Sequence, residues 1–166
     1  MRIPKRKIES KIMESALALK KFCEGVRAGG FSLSSTSGVF DVLHDGHVKY
    51  LIKASELADI LVVGIDCDLL VKHFKGEGRP HWNEDVRALN IAAHEHVDAV
   101  LVIKSSRELI EAVAPDFFVM SETTGGIEKR TEEMNLVREL GGEIVVFGTM
   151  SRNSTTDVLR RMRRGR

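Results

Sequence analysis

The segment His44-Asp45-Gly46-His47 has the residue types and spacing best suited to chemistry in this sequence. Gly46 lets the backbone approach a ligand closely, and the amides of a first helical turn form an anion site that the helix dipole strengthens. If the following helix begins at or before His44, the two imidazoles share a face and can both donate hydrogen bonds to phosphate oxygens. Such donors suit a phosphoryl-type transfer, in which the protein positions groups and stabilises developing charge without a covalent nucleophile.

The surrounding pattern alternates strands with helices, which predicts a doubly wound, Rossmann-like α/β fold with helices on both faces of a parallel sheet of about five strands. Short apolar runs predict strands at Phe31–Ser35, Ile60–Ile65, Asp98–Ile103, Asp116–Met120 and Glu143–Phe147. Apolar residues three and four apart predict helices at Ile8–Val26, Gly46–Leu57, Glu84–Glu95, Ser106–Val113, about Ile127–Leu140, and from near Ser154.

The stretch from Val71 to Asn83 contains glycines and a proline among charges, and is predicted to be a loop or a broken helix. Ligands of doubly wound sheets bind beyond the carboxyl ends of the strands. Three polar clusters follow predicted strand ends: Ser37–His47, Asp66–Arg87 and Thr149–Thr156. These separated segments are therefore expected to form one site.

Composition excludes several classes of protein. The chain has 166 residues with 43% hydrophobic and 30% charged residues, as in globular domains, and its net charge of +1 argues against a protein that coats nucleic acid. No apolar run reaches membrane-spanning length and no signal peptide is evident, so a cytoplasmic location without membrane attachment is expected. Cys23 and Cys67 lack the spacings of metal or redox sites.

The motifs together resemble the cytidylyltransferase-like nucleotidyltransferases. The signature Gly-x-Phe-Asp-x-x-His-x-Gly-His begins at Gly38, and the similarity continues through Lys75-Gly76-Glu77-Gly78-Arg79-Pro80, Glu84–Ala88, Pro115-Asp116, Gly141–Val146 and Ser154-Thr155-Thr156. The sequence is most similar to the branch of this family that adenylates heptose 1-phosphate. The resemblance covers roughly residues 30 to 163, which are taken as a nucleotidyltransferase domain of 30–166 preceded by an N-terminal helix at 1–29 that packs on the domain or on a dimer partner.

The resemblance implies that ATP, rather than CTP, donates a nucleotide to a phosphorylated sugar, with Mg²⁺ bound to the triphosphate and no metal held by the protein alone. It implies catalytic roles for His44, His47, Lys72 and Arg87. It also implies nucleotide contacts from Ser37, Gly38, Val39, Phe40, Gly46, Asp66, Lys75, Arg79, Ser154, Thr155 and Thr156. The substrate contacts implied are Asp41, Met120 and Ser121. A homodimer is the expected assembly.

Two departures from the family pattern keep alternatives open. Where the heptose branch continues its fourth strand with Lys-Gly-Gly-Asp-Tyr, this chain has Met120-Ser121-Glu122-Thr123-Thr124 and lacks a cation near the expected sugar phosphate. Glycerol phosphate cytidylyltransferases carry an Arg where this chain has Thr149. The alternatives are a CTP-dependent cytidylyltransferase acting on glycerol 3-phosphate or a similar alcohol phosphate, and a nucleotide-binding module without catalysis.

Overall fold

In the part of the chain that the structure describes, six parallel strands form one sheet, and numbered along the chain they lie in the order first, fourth, third, second, fifth, sixth. The computed structural model describes residues 7–122, 130–151 and 158–161. The strands are β1 (Ile12–Met13), β2 (Leu33–Gly38), β3 (Ile60–Asp66), β4 (Ala99–Ile103), β5 (Phe117–Ser121) and β6 (Glu143–Phe147). The helices are α1 (Ala16–Ala28), α2 (Asp45–Ser55), α3 (Asp68–Lys75), α4 (Glu84–Ala92), α5 (Ser106–Val113) and α6 (Thr131–Glu139). The predicted doubly wound fold is confirmed, with six strands instead of about five.

The additional strand lies within the segment that was predicted to be one helix, Ile8–Val26. A 3-10 turn at Ile8–Lys11 precedes β1, and α1 starts only after Ser15, whose hydroxyl accepts a hydrogen bond from the Ala18 amide. In β1, Ile12 pairs with Val100 of β4. The periodic pattern concealed this break because Ile8 and Ile12 are spaced as in a helix, whereas pairing with the edge of β4 satisfies the backbone of Ile12 and Met13 in the sheet.

The second difference concerns Val71–Asn83. Helix α3 starts directly after β3 and ends at Gly76, which has a φ of 84°. This left-handed conformation is readily adopted by glycine and terminates the helix. The irregular segment therefore runs only from Gly76 to Asn83, and α3 carries Lys72 and Lys75 on a regular scaffold.

Two apolar clusters cover the two faces of the sheet. One joins the sheet to α1, α5 and α6, and includes Leu19, Leu109 and Val137; the other joins it to α2 and α4, and includes Leu51 and Ile91. Side chains of a strand alternate between the two faces.

Strand β2 lies at the point where the chain reverses direction across the sheet. The strands that follow it, β3 and β4, extend to one side, and β5 and β6 extend to the other. Such a switch point opens a crevice at the carboxyl ends of the central strands. Among the described residues no helix is long and apolar enough to cross a membrane.

The predicted last helix is only partly within the described chain. Residues 158–161 are helical, whereas Ser154, Thr155 and Thr156 lie outside the described residues. Their expected phosphate contacts stay a prediction.

Candidate active site

His44 and His47 lie together at the first turn of α2, directly beyond the end of β2. Their ring centroids are 3.9 Å apart. His44 is the N-cap residue of α2, and its Nδ1 accepts a hydrogen bond from the Gly46 amide at 3.2 Å. A neutral imidazole that accepts at Nδ1 carries its proton on Nε2, so the Nε2–H of His44 is available as a donor. The Nδ1 atom of His47 is buried and has no hydrogen-bond partner among the described residues.

Gly46 is required by the packing of this turn. A Cβ atom at position 46 would lie 2.9 Å from Cε1 of His44 and 3.1 Å from Cβ of Ser151. The Ser151 hydroxyl donates to Asp45 at 2.9 Å. The segment that follows β6 is therefore held against the start of α2. Of the third predicted cluster, Thr149–Thr156, the described residues Thr149–Ser151 thus lie next to the histidine turn.

The electrostatic environment keeps both histidines neutral. Burial, followed by the charges of His44 and Lys75, lowers the pKa of His47 to about 4. Burial also lowers the pKa of His44, and the opposing effect of Asp45 is smaller. Burial is the main cause of both shifts, so the two imidazoles are neutral groups at neutral pH.

Cations and one carboxylate surround the same space. Burial is the main cause of the lowered pKa of Lys75, and Arg79 adds to it. At the end of β3, burial raises the pKa of Asp66, and the opposing cations are Arg130, Arg87 and Lys75. The structure thus brings Lys75, Arg79 and Asp66 towards the histidines. Lys72 lies one turn earlier in α3; both lysines are exposed residues, and the desolvation of Lys75 is partial.

Asp41 holds the loop after Gly78 against the loop after β2. Its carboxylate is buried, accepts hydrogen bonds from the His81 and Trp82 amides at 2.9 to 3.0 Å, and lies 3.2 Å from Nε of Arg79. The Nε atom of Arg79 has no contact of hydrogen-bond geometry among the described residues, so this last contact is an ion pair. Both carboxylate oxygens are engaged within the protein, and the substrate contact expected of Asp41 stays a prediction.

Arg87 connects three segments of the site. Its side chain is fully buried and donates to the carbonyl oxygens of Val39, Asp66 and Trp82 at 2.7 to 3.0 Å. It also forms a 2.7 Å ion pair with Asp68. A guanidinium with no exposed surface does not reach a phosphate in this arrangement, and the catalytic role expected of Arg87 stays a prediction.

The ring of Phe40 packs beside the ring of His47. The backbone of Phe40 has a φ of 47°, uncommon for a bulky residue, and its ring is buried with its centroid 5.4 Å from that of His47. A Cβ atom at Gly38 would lie 3.1 Å from the Phe40 ring. The structure places Ser37, Gly38, Val39 and Phe40 at and just after the end of β2, and their nucleotide contacts stay a prediction. The Val39 carbonyl and the Phe40 ring are engaged within the protein.

Met120 does not face the site. It is 1% exposed and belongs to the apolar cluster beneath α1, α5 and α6, so its expected contact with the acceptor is corrected. Ser121, the last residue of β5, is half-buried at the carboxyl edge.

Arg130 is a site residue that the sequence reasoning missed. Its Nη2 lies 3.3 Å from the hydroxyl of Ser106 and 3.5 Å from that of Ser37, at the end of β2. The residue stands immediately before α6, and no motif singles it out. The sequence offered no signal for it, because the predicted helix of about Ile127–Leu140 includes this position.

The comparisons with known proteins agree with this geometry. A model of the cytidylyltransferase-like family matches residues 35–161. The bifunctional protein HldE of Desulfatibacillum aliphaticivorans is 39% identical over 152 residues, covering 89% of this chain and 30% of that protein. HldE of a Nitratiruptor species is 40% identical over 130 residues, covering 77% of this chain and 27% of that protein. The chain thus spans about 30% of the length of these curated relatives.

Two solved structures share the fold. The lipopolysaccharide core biosynthesis protein from Thermoplasma volcanium GSS1 aligns with a TM-score of 0.62 at 24% identity, over 75% of this chain and 100% of that chain. Pantoate-beta-alanine ligase from Francisella tularensis, complexed with beta-gamma ATP and beta-alanine, aligns with a TM-score of 0.61 at 13% identity, over 87% of this chain and 68% of that chain. At these identities the likeness concerns the architecture alone.

Proposed function

Because the chain belongs to the cytidylyltransferase-like family, we propose that it transfers a nucleoside monophosphate from a nucleoside triphosphate, with ATP preferred, to a phosphorylated sugar such as heptose 1-phosphate. A phosphate oxygen of the sugar attacks the α-phosphorus and forms the new P–O bond. The bond from the α-phosphorus to the bridging oxygen breaks, and pyrophosphate leaves with the electron pair.

The pair of neutral histidines at the start of α2 carries this proposal. Two N–H donors beside the amides of a helical first turn can hold the triphosphate and stabilise charge that develops around the α-phosphorus. Two neutral imidazoles 3.9 Å apart can both donate to the triphosphate without the repulsion that two protonated rings would have. Lys75 and Arg79 supply positive charge for the phosphates, and Lys72 is proposed to join them from the same helix.

Arg87 and Asp41 are assigned to positioning. Together they fix the loop that leads from β2 to the histidines of α2 and the loop after Gly78, which contains Arg79. Misplacement of reacting groups by about 1 Å can reduce a rate by about 10²-fold, so such residues influence turnover without touching the nucleotide.

Mg²⁺ is proposed to accompany the triphosphate. Among residues 7–122, 130–151 and 158–161, no group of three or more His, Cys, Asp or Glu could hold a metal ion. Mg²⁺ in nucleotide sites is commonly held by phosphates, waters and one or two protein carboxylates. Asp66 fits this mode, because it is a half-buried carboxylate close to Lys75, and the ion would screen the charge of the phosphates.

The test is release of pyrophosphate from ATP and, in parallel, from CTP, with heptose 1-phosphate, other sugar phosphates and glycerol 3-phosphate as acceptors. Faster release with CTP and glycerol 3-phosphate would support the cytidylyltransferase alternative instead. Tight nucleotide binding without release for any acceptor would support the non-catalytic alternative. We further propose a cytoplasmic homodimer that does not bind nucleic acid, which sedimentation and fractionation can test.

A further inference from the structure

On the opposite side of β2 from α2, three side chains form a small polar cluster made of Arg130, Ser37 and Ser106. The Ser37 and Ser106 hydroxyl oxygens are 3.3 Å apart, and Nη2 of Arg130 lies within 3.5 Å of both. In β2, Ser34 and Thr36 direct their side chains to α2, where they contact the Ala54 carbonyl and the Tyr50 hydroxyl. Alternation along the strand places Ser37 on the other face, towards α5.

The guanidinium in this cluster is held in a fixed orientation. Nε of Arg130 donates to Glu133 at 2.5 Å, while Nη2 is directed at the two hydroxyls. The side chain is 15% exposed, so it is largely enclosed and yet reachable. A guanidinium held in this way loses less conformational entropy when it binds an oxyanion.

Counted among these three groups alone, one hydroxyl proton remains unused. Arg130 donates to both serine oxygens, and the contact between the two hydroxyls uses one hydroxyl proton. The second hydroxyl proton is accepted by none of these three groups. Ser106 is also the first residue of α5, so the positive end of an eight-residue helix faces the same point. Guanidinium, hydroxyl and helix dipole all favour an anionic oxygen acceptor.

The position of the cluster relative to the histidines suits an incoming group. The attacking and leaving oxygens of a phosphoryl-type transfer lie roughly in line on opposite sides of the phosphorus. The histidines extend from α2 on one side of the β2 end, and the Arg130 cluster lies on the α5 and α6 side of it. Resting on the proposed function, we infer that Arg130, with Ser37 and Ser106, binds the phosphate of the acceptor and thereby supplies the cation that position 120 lacks.

Arg130→Gln tests this inference, with Arg138→Gln near the end of the same helix as the matched control. Binding of heptose 1-phosphate, and of inorganic phosphate, is measured by calorimetry on the full chain saturated with α,β-methylene-ATP. A charge-assisted hydrogen bond lost from a partly buried site predicts 10- to 100-fold weaker binding, roughly, for Arg130→Gln. Affinity for the nucleotide analogue should stay within about twofold, and Arg130→Lys should recover part of the loss.

A second variant separates the site from general damage. Ser106→Ala removes one hydroxyl and should weaken phosphate binding by roughly 3- to 10-fold, with the melting temperature of each variant compared with that of the natural chain. Equal binding by Arg130→Gln and Arg138→Gln would overturn the inference, as would failure of the natural chain to bind either phosphate probe. Because calorimetry needs no turnover, pyrophosphate release measured separately distinguishes failure of the proposed function from failure of the Arg130 site.

Discussion

At the scale of single residues, His47 combines burial, a nearby histidine and a nearby lysine, and these hold it neutral with a pKa of about 4. The proposed chemistry requires a hydrogen-bond donor at this place rather than a proton reservoir. This distinction leads to two predictions, one for turnover and one for stability.

Replacing His47 by Ala should lower kcat/KM by roughly 10²- to 10³-fold, the usual cost of removing one preorganised donor to a developing oxyanion. The melting temperature should change little by comparison, since the Nδ1 atom of His47 has no hydrogen-bond partner among the described residues. His96→Ala is the matched control, because His96 precedes β4 at the amino end of the sheet. Turnover by His47→Ala equal to that of His96→Ala would contradict the assignment.

The lowered pKa of His47 also predicts a pH dependence of stability. The ordinary histidine pKa is 6.5 and the folded value is about 4, so the unfolded chain binds a proton that the folded chain rejects. Stability should therefore fall as the pH drops from about 6.5 towards 4, by at most roughly 3 kcal/mol from this residue. Urea unfolding between pH 7 and pH 4.5 should show a steeper loss for the natural chain than for His47→Asn. Parallel curves would show that His47 is not neutral in the folded state.

At the scale of the elements, the site depends on how closely the first turn of α2 packs. Gly46→Ala would place a methyl group 2.9 Å from the His44 ring and 3.1 Å from Ser151. We expect at least a tenfold loss of kcat/KM through displacement of His44, because near-attack geometry tolerates little movement. Gly25→Ala, in the interior of α1 with no atom within 4 Å of the added Cβ, is the control and should stabilise the chain by up to about 1 kcal/mol.

The buried contacts of Arg87 predict a loss of stability that charge alone does not explain. Lysine at this position keeps the charge but cannot reach three carbonyl groups and Asp68 at once, so Arg87→Lys should cost about 3 kcal/mol or more. Arg107→Lys, in an exposed pair with Glu111, should cost less than about 0.5 kcal/mol. Chemical denaturation of the two variants measures the difference. Similar values would contradict the role of Arg87 as the connection between the loops.

Much of this arrangement was predictable from sequence because it depends on periodicity and on local motifs. The five predicted strands, the approach of the β2, β3 and β6 ends, and the histidine turn all followed from short-range patterns. The errors came from long-range contacts. Nothing near Met120 shows that its side chain faces the core, nothing near Arg87 shows that three carbonyl groups surround it, and Arg130 gains meaning only when Ser37 lies beside it in space.

At the scale of the whole molecule, the short strand β1 protects one edge of the sheet. It pairs with Val100 and Leu101 of β4, and Lys11 donates to the His94 and Val97 carbonyls at 3.3 and 2.7 Å. An uncovered edge strand is a template for association between chains. A chain starting at Ser15 should therefore melt at a lower temperature and associate at high concentration, which light scattering detects. If the truncated chain stays monodisperse and its melting temperature is unchanged, β1 does not protect the edge of β4.

The enclosed guanidinium of Arg87 also bears on how sequences of such proteins are compared. A residue that sets the spacing of three loops tolerates little substitution, so selection would preserve it as strictly as a group that touches the nucleotide. Ranking positions by their invariance would then place Arg87 beside His44 and His47, although its guanidinium has no exposed surface. In this architecture, an invariant residue can be one that holds loops at a fixed distance or one that contacts the substrate. The exposed fraction of its side chain distinguishes the two cases.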